Sequence, residues 1–415
     1  MTKLPCPLPF HNYNKHHQDN IYDQSHTSLH SDCSSSNSSL TSQSSLPSIP
    51  SLTPHSAAAA TTAAYHDCLA TLKGHSSYIF SLALALAGKH LYSGASDGEI
   101  RVWDIRNPSS PQNYVVSEGY SSVKSIVAIS DKLFTAHHDH KIRVWKIANS
   151  TPYKLITTLP TINDRCMSIF SDKKYVNVRR HKKSTWVHHN DAVSALTLSK
   201  DGSLLYSVSW DRTLKVWRTS DYKCIESVEN AHDDAINDVV LSDSGHVYTC
   251  SADKMIKIWR RIDTEKKHSL VSTLEKHKSA VNALALSSDG CVLYSGACDR
   301  SIIVWEKDED GGAASMAVAG ALRGHKKAIL CLAVVLDLVC SGSADKTVRV
   351  WRRGSGSSYS CLAVFEGHNS PVKCLTAALD NNHSDSSNSG SGNSYLVYSG
   401  GLDFDIKVWQ IWVPF

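Results

Sequence analysis

One spacing constrains this chain above all others: seven times an aspartate is followed, six positions later, by a tryptophan. The pairs are Asp97/Trp103, Asp139/Trp145, Asp211/Trp217, Asp253/Trp259, Asp299/Trp305, Asp345/Trp351 and Asp403/Trp409. Each lies in two β-branched and aromatic runs around a polar turn, from LYSGASDGEIRVWD at Leu91 to VYSGGLDFDIKVWQ near the end. Successive tryptophans stand 42, 72, 42, 46, 46 and 58 residues apart, against about 40–45 for a repeat of four strands. Such a unit cannot bury its apolar face alone, so seven of them predict an array in which each packs on its neighbours. The 72-residue interval exceeds the first by 30 residues, too few for another unit, and predicts an insertion at about 156–186, between Leu155 and Trp186. The 58-residue interval holds a Ser/Asn/Gly-rich run, 379–394, with the composition of a flexible loop.

Ahead of each aspartate lies an alternating strand rich in small residues, such as AVSALTLS and AVNALALS, suited to a crowded innermost position. Six of these strands follow a histidine. The complete repeats thus carry a His, a hydroxyl, an Asp and a Trp: His75, Ser93, Asp97, Trp103; His189, Ser207, Asp211, Trp217; His232, Thr249, Asp253, Trp259; His277, Ser295, Asp299, Trp305; His325, Ser341, Asp345, Trp351; His368, Ser399, Asp403, Trp409. The second repeat has Thr135, Asp139 and Trp145 but Gly119-Tyr120 in place of the histidine, and reads as degenerate. These residue types suit one buried polar chain, in which Asp accepts from turn N–H groups and from His while His and the indole share the hydroxyl. A Ser/His/Asp set also invites a nucleophile reading, but six copies and no GxSxG elbow favour architecture over catalysis.

No catalytic, cofactor or metal residue is therefore expected. The glycine-rich 354–358 is not followed by Lys-Ser/Thr, as a phosphate cradle requires. His137, His138 and His140 read as a solvated turn rather than a metal site, having no further spaced ligand.

The last repeat ends six residues after Trp409 and lacks a fourth strand, whereas CLATL at Cys68–Leu72 precedes the first histidine with no unit of its own. Pairing the two would remove two strand edges. The expectation is an all-β, seven-bladed propeller over 65–415, closed by an N-terminal strand. These motifs resemble the WD-repeat (WD40) β-propeller family. RRHKKSTWVHHNDAVSAL, CIESVENAHDDAIN, SGSADKTVRVWRR and LPSIPSL are similar, more narrowly, to plant WD-repeat proteins of the JINGUBANG type. That resemblance implies a non-enzymatic, regulatory scaffold of plant signalling or transcriptional control, acting through protein–protein contacts in cytoplasm or nucleus.

Between Ser31 and Ser56 twelve of 26 residues are serine, a composition that cannot offset its conformational entropy by burial. Residues 1–64 are thus expected to be a disordered tail, serving phosphorylation or docking with Leu46–Leu52 as its leading short motif, or acting simply as a spacer. Forty-three Lys and Arg against 39 Asp and Glu leave +4, too little to imply nucleic acid or an anionic membrane. Twelve cysteines without a CxxC spacing suit neither a disulfide scaffold nor a zinc ribbon. The first residues have no signal-like apolar core, and the longest near-apolar stretch, Ala328–Cys340, contains Asp337, so a soluble chain of the reducing interior is expected. RRHKK within the insertion resembles a nuclear-localisation or nucleic-acid patch, yet charge runs are usually solvated and nucleic acid is not the expected partner.

By resemblance to family members, partners bind where the Asp turns gather. The positions concerned are the residue before each Asp (Ser96, His138, Trp210, Ala252, Cys298, Ala344, Leu402) and the residue after the first apolar one of each inner strand (Phe80, Lys124, Ser194, Asn237, Asn282, Leu330, Lys373). Phe80, Lys124, His138, Trp210, Leu330, Lys373 and Leu402 make the candidate protein- or peptide-binding face, with Trp210 at its centre as a hot-spot residue. As an alternative, Trp103-Asp104-Ile105-Arg106 resembles the WDxR box of substrate receptors for cullin-4 ubiquitin ligases, which implies adaptor contacts by Asp104 and Arg106; Tyr92 departs from the aliphatic residue that box prefers.

Overall fold

The computed structural model describes residues 49–53, 64–85, 89–105, 113–129, 131–147, 153–162, 164, 175–179, 182–262, 267–308, 315–354, 358–380 and 392–414. Among them thirty strands form seven four-stranded antiparallel sheets and one two-stranded hairpin. Each four-stranded sheet is one blade, and six of the seven run in chain order from the inside outward. In blade 5, for example, the order is Val281–Leu286, Val292–Ala297, Ile302–Lys307 and Met316–Leu322. The inner strands of successive blades adjoin one another, and that of blade 7 returns to that of blade 1. The ring is closed by the N-terminal strand Tyr65–Leu72, which runs antiparallel to Ile406–Pro414 with Tyr65 opposite Trp412 and Leu72 opposite Ile406. The protein is an all-β, seven-bladed propeller.

Its apolar core has no single centre. Seven clusters of buried side chains each lie between two adjacent blades, such as Tyr92, Ile100 and Val102 of blade 1 against Val123, Ile126 and Leu133 of blade 2. Second strands are pressed on both faces, which is why Val292–Ala297 is buried throughout and its one polar side chain, Ser295, is hydrogen-bonded within the blade. Where two blades approach most closely a side chain does not fit: a Cβ on Gly94 would stand 2.4 Å from Val123 Cγ1. Polar stitches supplement the packing. Ser81 Oγ, Ser125 Oγ and Asp238 Oδ2 each accept from an inner-strand N–H of the following blade, at Ile126, Leu196 and Leu284.

Three boundaries differ from the sequence expectation. The outer strand of blade 2 is Lys154–Leu159, so the extra chain begins beyond Leu159; its hairpin pairs Tyr175–Arg179 with Lys182–Thr185. Lys173, Lys174, Arg180 and His181 lie outside the described residues. The blade 7 strands reach Leu379 and resume at Gly392, narrowing the expected loop. Ile49–Thr53, expected to be disordered, lie along blade 5 because Ile49 and Leu52 find apolar clusters there.

Candidate functional site

The polar chain recurs around the ring. In blades 1 and 3–7 the loop histidine Nε2 lies 2.6–2.9 Å from the Ser or Thr hydroxyl. In all seven blades the buried indole Nε1 donates to that hydroxyl at 2.8–2.9 Å. In blades 3–7 the histidine Nδ1 meets its aspartate, as at 2.8 Å between His232 and Asp253. The proton order follows: Nδ1–H donates to the carboxylate, leaving Nε2 to accept from the hydroxyl, which accepts from the indole. The aspartate also accepts backbone N–H groups, Asn190 N at 2.6 Å and Thr213 N at 3.0 Å for Asp211. Burial alone would raise these carboxyls; their histidine and N–H partners outweigh it and hold Asp299 at about 2 and Asp211 lower than its usual range.

Two blades depart from the expected tetrad. In blade 1, Asp97 turns outward to Ser76 Oγ and Glu99 N, and the carboxylate facing His75 Nδ1, at 3.4 Å, is that of Glu99. Glu99 also pairs with Arg101 at 2.5 Å. Blade 2, read as lacking its histidine, contains one: His137 Nε2 lies 2.8 Å from Thr135 Oγ1, and Nδ1 lies 2.7 Å from Ser121 O. His137 is fully buried and so is not part of a solvated turn. Asp139, relieved of the histidine, pairs with Arg143 at 2.6 Å, whose guanidinium sits over Tyr120 at 4.4 Å.

The rim formed by the Asp turns is equally regular. Each residue before an Asp donates its backbone N–H to the carbonyl preceding the adjacent inner strand, as Trp210 does to Ala192 at 3.1 Å. Each inner strand carries a bulge at its second residue, between Ile79 and Ser81, Val123 and Ser125, and so on through Val372 and Cys374. The bulged residues are Phe80, Lys124, Ser194, Asn237, Asn282, Leu330 and Lys373. A bulge leaves a residue out of the ladder and re-aims its side chain.

On this rim, side chains of four blades form a band. Lys124 Nζ stands 4.2 Å from the Phe80 ring centroid and 5.4 Å from that of Trp210. His138 meets Trp210 edge-on at 5.9 Å. On the other side Tyr78 lies 6.5 Å from Phe80 and 5.4 Å from Phe404. Burial, and then the charge of Lys373, push the Lys124 ammonium down to about 8. Asp238 is pushed up to about 6 by burial, against the pull of two backbone N–H groups and Lys373. Tyr78, Phe404 and Asp238 were not singled out from the sequence. The available signal at Phe404 was its place after Asp403, where the other turns carry Gly or a polar residue; it holds φ 71°, a region bulky residues rarely occupy.

Other rim positions serve different ends. Ser194 Oγ, Asn237 Nδ2 and Asn282 Nδ2 donate to Ile236 O, Val281 O and Ile329 O of the next blade. Ser96 bonds Ser77 at 2.8 Å, and Ala252, Cys298 and Ala344 are half-buried. Leu330 and Leu402 expose only 8% and 9% of their surface and so offer little to a partner. Asp104 ends the third strand of blade 1 opposite His90, whereas Arg106 lies outside the described residues. Among the described residues no group of three or more His, Cys, Asp or Glu could hold a metal ion, and no helix is long and apolar enough to cross a membrane.

The family description "WD domain, G-beta repeat" matches residues 66–104, 180–218, 222–260, 268–306, 317–352 and 359–410. The matches pass over blade 2, where the histidine has moved. Relatives include Protein ROOT INITIATION DEFECTIVE 3 of Arabidopsis thaliana, 31% identical over 178 residues and 40% of each chain. Zinc finger CCCH domain-containing protein 62 of the same plant is 26% identical over 39% of this chain and 37% of its own. Ribosome biogenesis protein YTM1 of Saccharomyces cerevisiae is 24% identical over 80% of this chain and 65% of its own. This chain thus spans less than two thirds of each of these relatives. With more than half of the sequence under that description and its repeats built as seven blades, the chain belongs to the WD40 repeat family.

Proposed function

We propose that the chain is a non-enzymatic regulatory scaffold which binds an acidic peptide segment of a partner protein on the rim of the Asp turns. The observation that carries this reading is the Lys124 ammonium held between Phe80 and Trp210 with a second lysine, Lys373, close enough to depress it. One cation over two aromatic faces, with a second lysine near it, matches a carboxylate flanked by apolar or aromatic side chains. Phe404, Tyr78 and His138 extend the contact across four blades, and a half-buried Trp such as Trp210 is the usual anchor of such an interface. We infer a regulatory role in a plant, in nucleus or cytoplasm, from the JINGUBANG-type likeness of the sequence itself; that the relatives include plant proteins supports the plant part of this reading. The test is selection from a random peptide library on the immobilised chain. Wild type is expected to enrich sequences carrying Asp or Glu next to an apolar residue, and Trp210→Ala and Lys124→Ala/Lys373→Ala to lose that enrichment. Folded variants that keep the wild-type preference would show the rim to be the wrong place.

A further inference from the structure

The outer strand of a propeller blade has one backbone edge that its own sheet does not pair. On blade 5 that edge is taken. Ser51 bridges Ala321 in parallel; Ala321 N donates to Pro50 O at 2.9 Å and Leu52 N to Ala321 O at 3.0 Å. From the start of the neighbouring outer strand, Tyr359 N donates to Leu52 O at 3.1 Å. Arg323 Nη2 donates to Ile49 O at 2.9 Å. Ile49 is 5% exposed and enters the cluster between blades 4 and 5 beside Met316 and Ala321, while Leu52 packs on the cluster between blades 5 and 6.

One residue makes room for this segment. A Cβ on Gly320 would stand 2.5 Å from Leu52 Cγ and 2.9 Å from Pro50 O. Gly320 lies opposite Val304. In the other six blades the matching outer-strand positions are Tyr114, Thr157, Glu226, Ser272, Ala363 and Ala70, all of which carry a Cβ. The groove is therefore particular to blade 5.

We propose that the outer edge of blade 5 is a docking groove for a short extended peptide of Ile-Pro-Ser-Leu pattern, and that residues 49–53 are its resident occupant, a tethered strap that keeps other peptides of this pattern out until it is released. Main-chain bonds to the edge supply the affinity and the two pockets for Ile49 and Leu52 the specificity, as in strand addition generally. Pro50 has no N–H to satisfy, and Ser51 and Thr53 close the segment with a 3.0 Å hydroxyl contact.

The experiment measures fluorescence anisotropy of a labelled synthetic peptide spanning residues 46–54 against the full chain. Ile49→Asp/Leu52→Asp, which vacates the groove, is expected to bind the peptide on the order of tenfold more tightly than wild type, because a tethered competitor at an effective concentration of about 1 mM is removed. Adding Gly320→Val to that double variant is expected to abolish binding while the cooperative melt of the propeller persists. Equal binding to all three chains would overturn the proposal, as would no binding to a double variant that melts like wild type. A wild-type dimer that becomes monomeric in the double variant would also overturn it, since a second copy would then fill the groove.

Discussion

His137 Nε2 lies 2.8 Å from Thr135 Oγ1, the hydroxyl two residues before it on the same strand. Residues i and i+2 of a strand share a face, so the ring reaches the hydroxyl from within the sheet, where the other blades reach it from a loop. At the matching position those blades carry Ala95, Ser209, Ser251, Ala297, Ser343 or Gly401, small enough to leave space for the loop ring. His137→Ala would take from the Thr135 hydroxyl its nitrogen acceptor and from Ser121 O its donor, leaving the hydroxyl only the Trp145 indole and a long contact to Arg143 O. The expected loss is about 1–3 kcal/mol in urea unfolding; a loss within error of zero would remove His137 from the network.

The seven aspartates are not equivalent, although their spacing is. Asp211 accepts from His189 Nδ1, Asn190 N, Thr213 N and Thr213 Oγ1. Asp97 accepts from Ser76 Oγ and Glu99 N in exposed surroundings. Asp211→Ala should therefore cost about 1–3 kcal/mol or more, and Asp97→Ala no more than about 0.5 kcal/mol. Thermal melts of the two variants side by side check the order, and equal shifts would contradict it.

Burial first, and then the charges of Arg101 and Arg143, push the His75 and His137 imidazoles down to about 4. With folded values below the ordinary 6.5, the unfolded chain binds more protons between those limits. The stability from keeping each ring neutral is fully present above about pH 6.5 and lost as pH falls towards 4, by about 1.4 kcal/mol per pH unit and ring. The carboxylates act later: with Asp299 at about 2, its contribution falls only below about pH 4. Urea unfolding should thus weaken steadily from pH 7 to 5, and less steeply in His137→Gln. A flat profile over that range would refute the assignment of neutral rings.

Blade number and closure were legible because the evidence for them is local. An Asp turn and its Trp lie on two strands joined by that turn, so their spacing survives in the sequence, and the orphan strand Tyr65–Leu72 had one open edge to fill. The band from Phe404 to His138 was not legible as a unit, since its residues come from both ends and the first half of the chain and meet only when the ring closes. Trp210, Phe80 and Lys124 could be picked as rim positions by their place in the repeat, but Tyr78 lies in a loop and Phe404 in a turn. The role of His137 is not legible in the repeat, because a histidine supplied from another position leaves no trace in an alignment of the blades position by position. Composition could not mark out 49–53 within the serine-rich 31–56, because this segment packs through Ile49 and Leu52 and against Gly320, far away in the chain.

Lys124 offers a separation of stability from function. Its ammonium is held down to about 8 by burial and by Lys373, so at neutral pH the folded chain carries a charge it disfavours. The folded value lies below the ordinary 10.4, and the penalty, present at pH 7, is relieved only as pH rises through 8. Against it stands the contact with Phe80, about 0.5–2 kcal/mol for a cation on a ring. Methionine keeps the length and the ring contact while removing the charge, so Lys124→Met is expected to stabilise the fold by on the order of 1 kcal/mol. The same change should weaken binding of acidic peptides, because it removes the cation proposed to meet them on the rim. Melting temperature and peptide affinity measured on one preparation decide the matter: a variant less stable than wild type, or one more stable that still prefers acidic peptides, would make Lys124 a packing residue and nothing more.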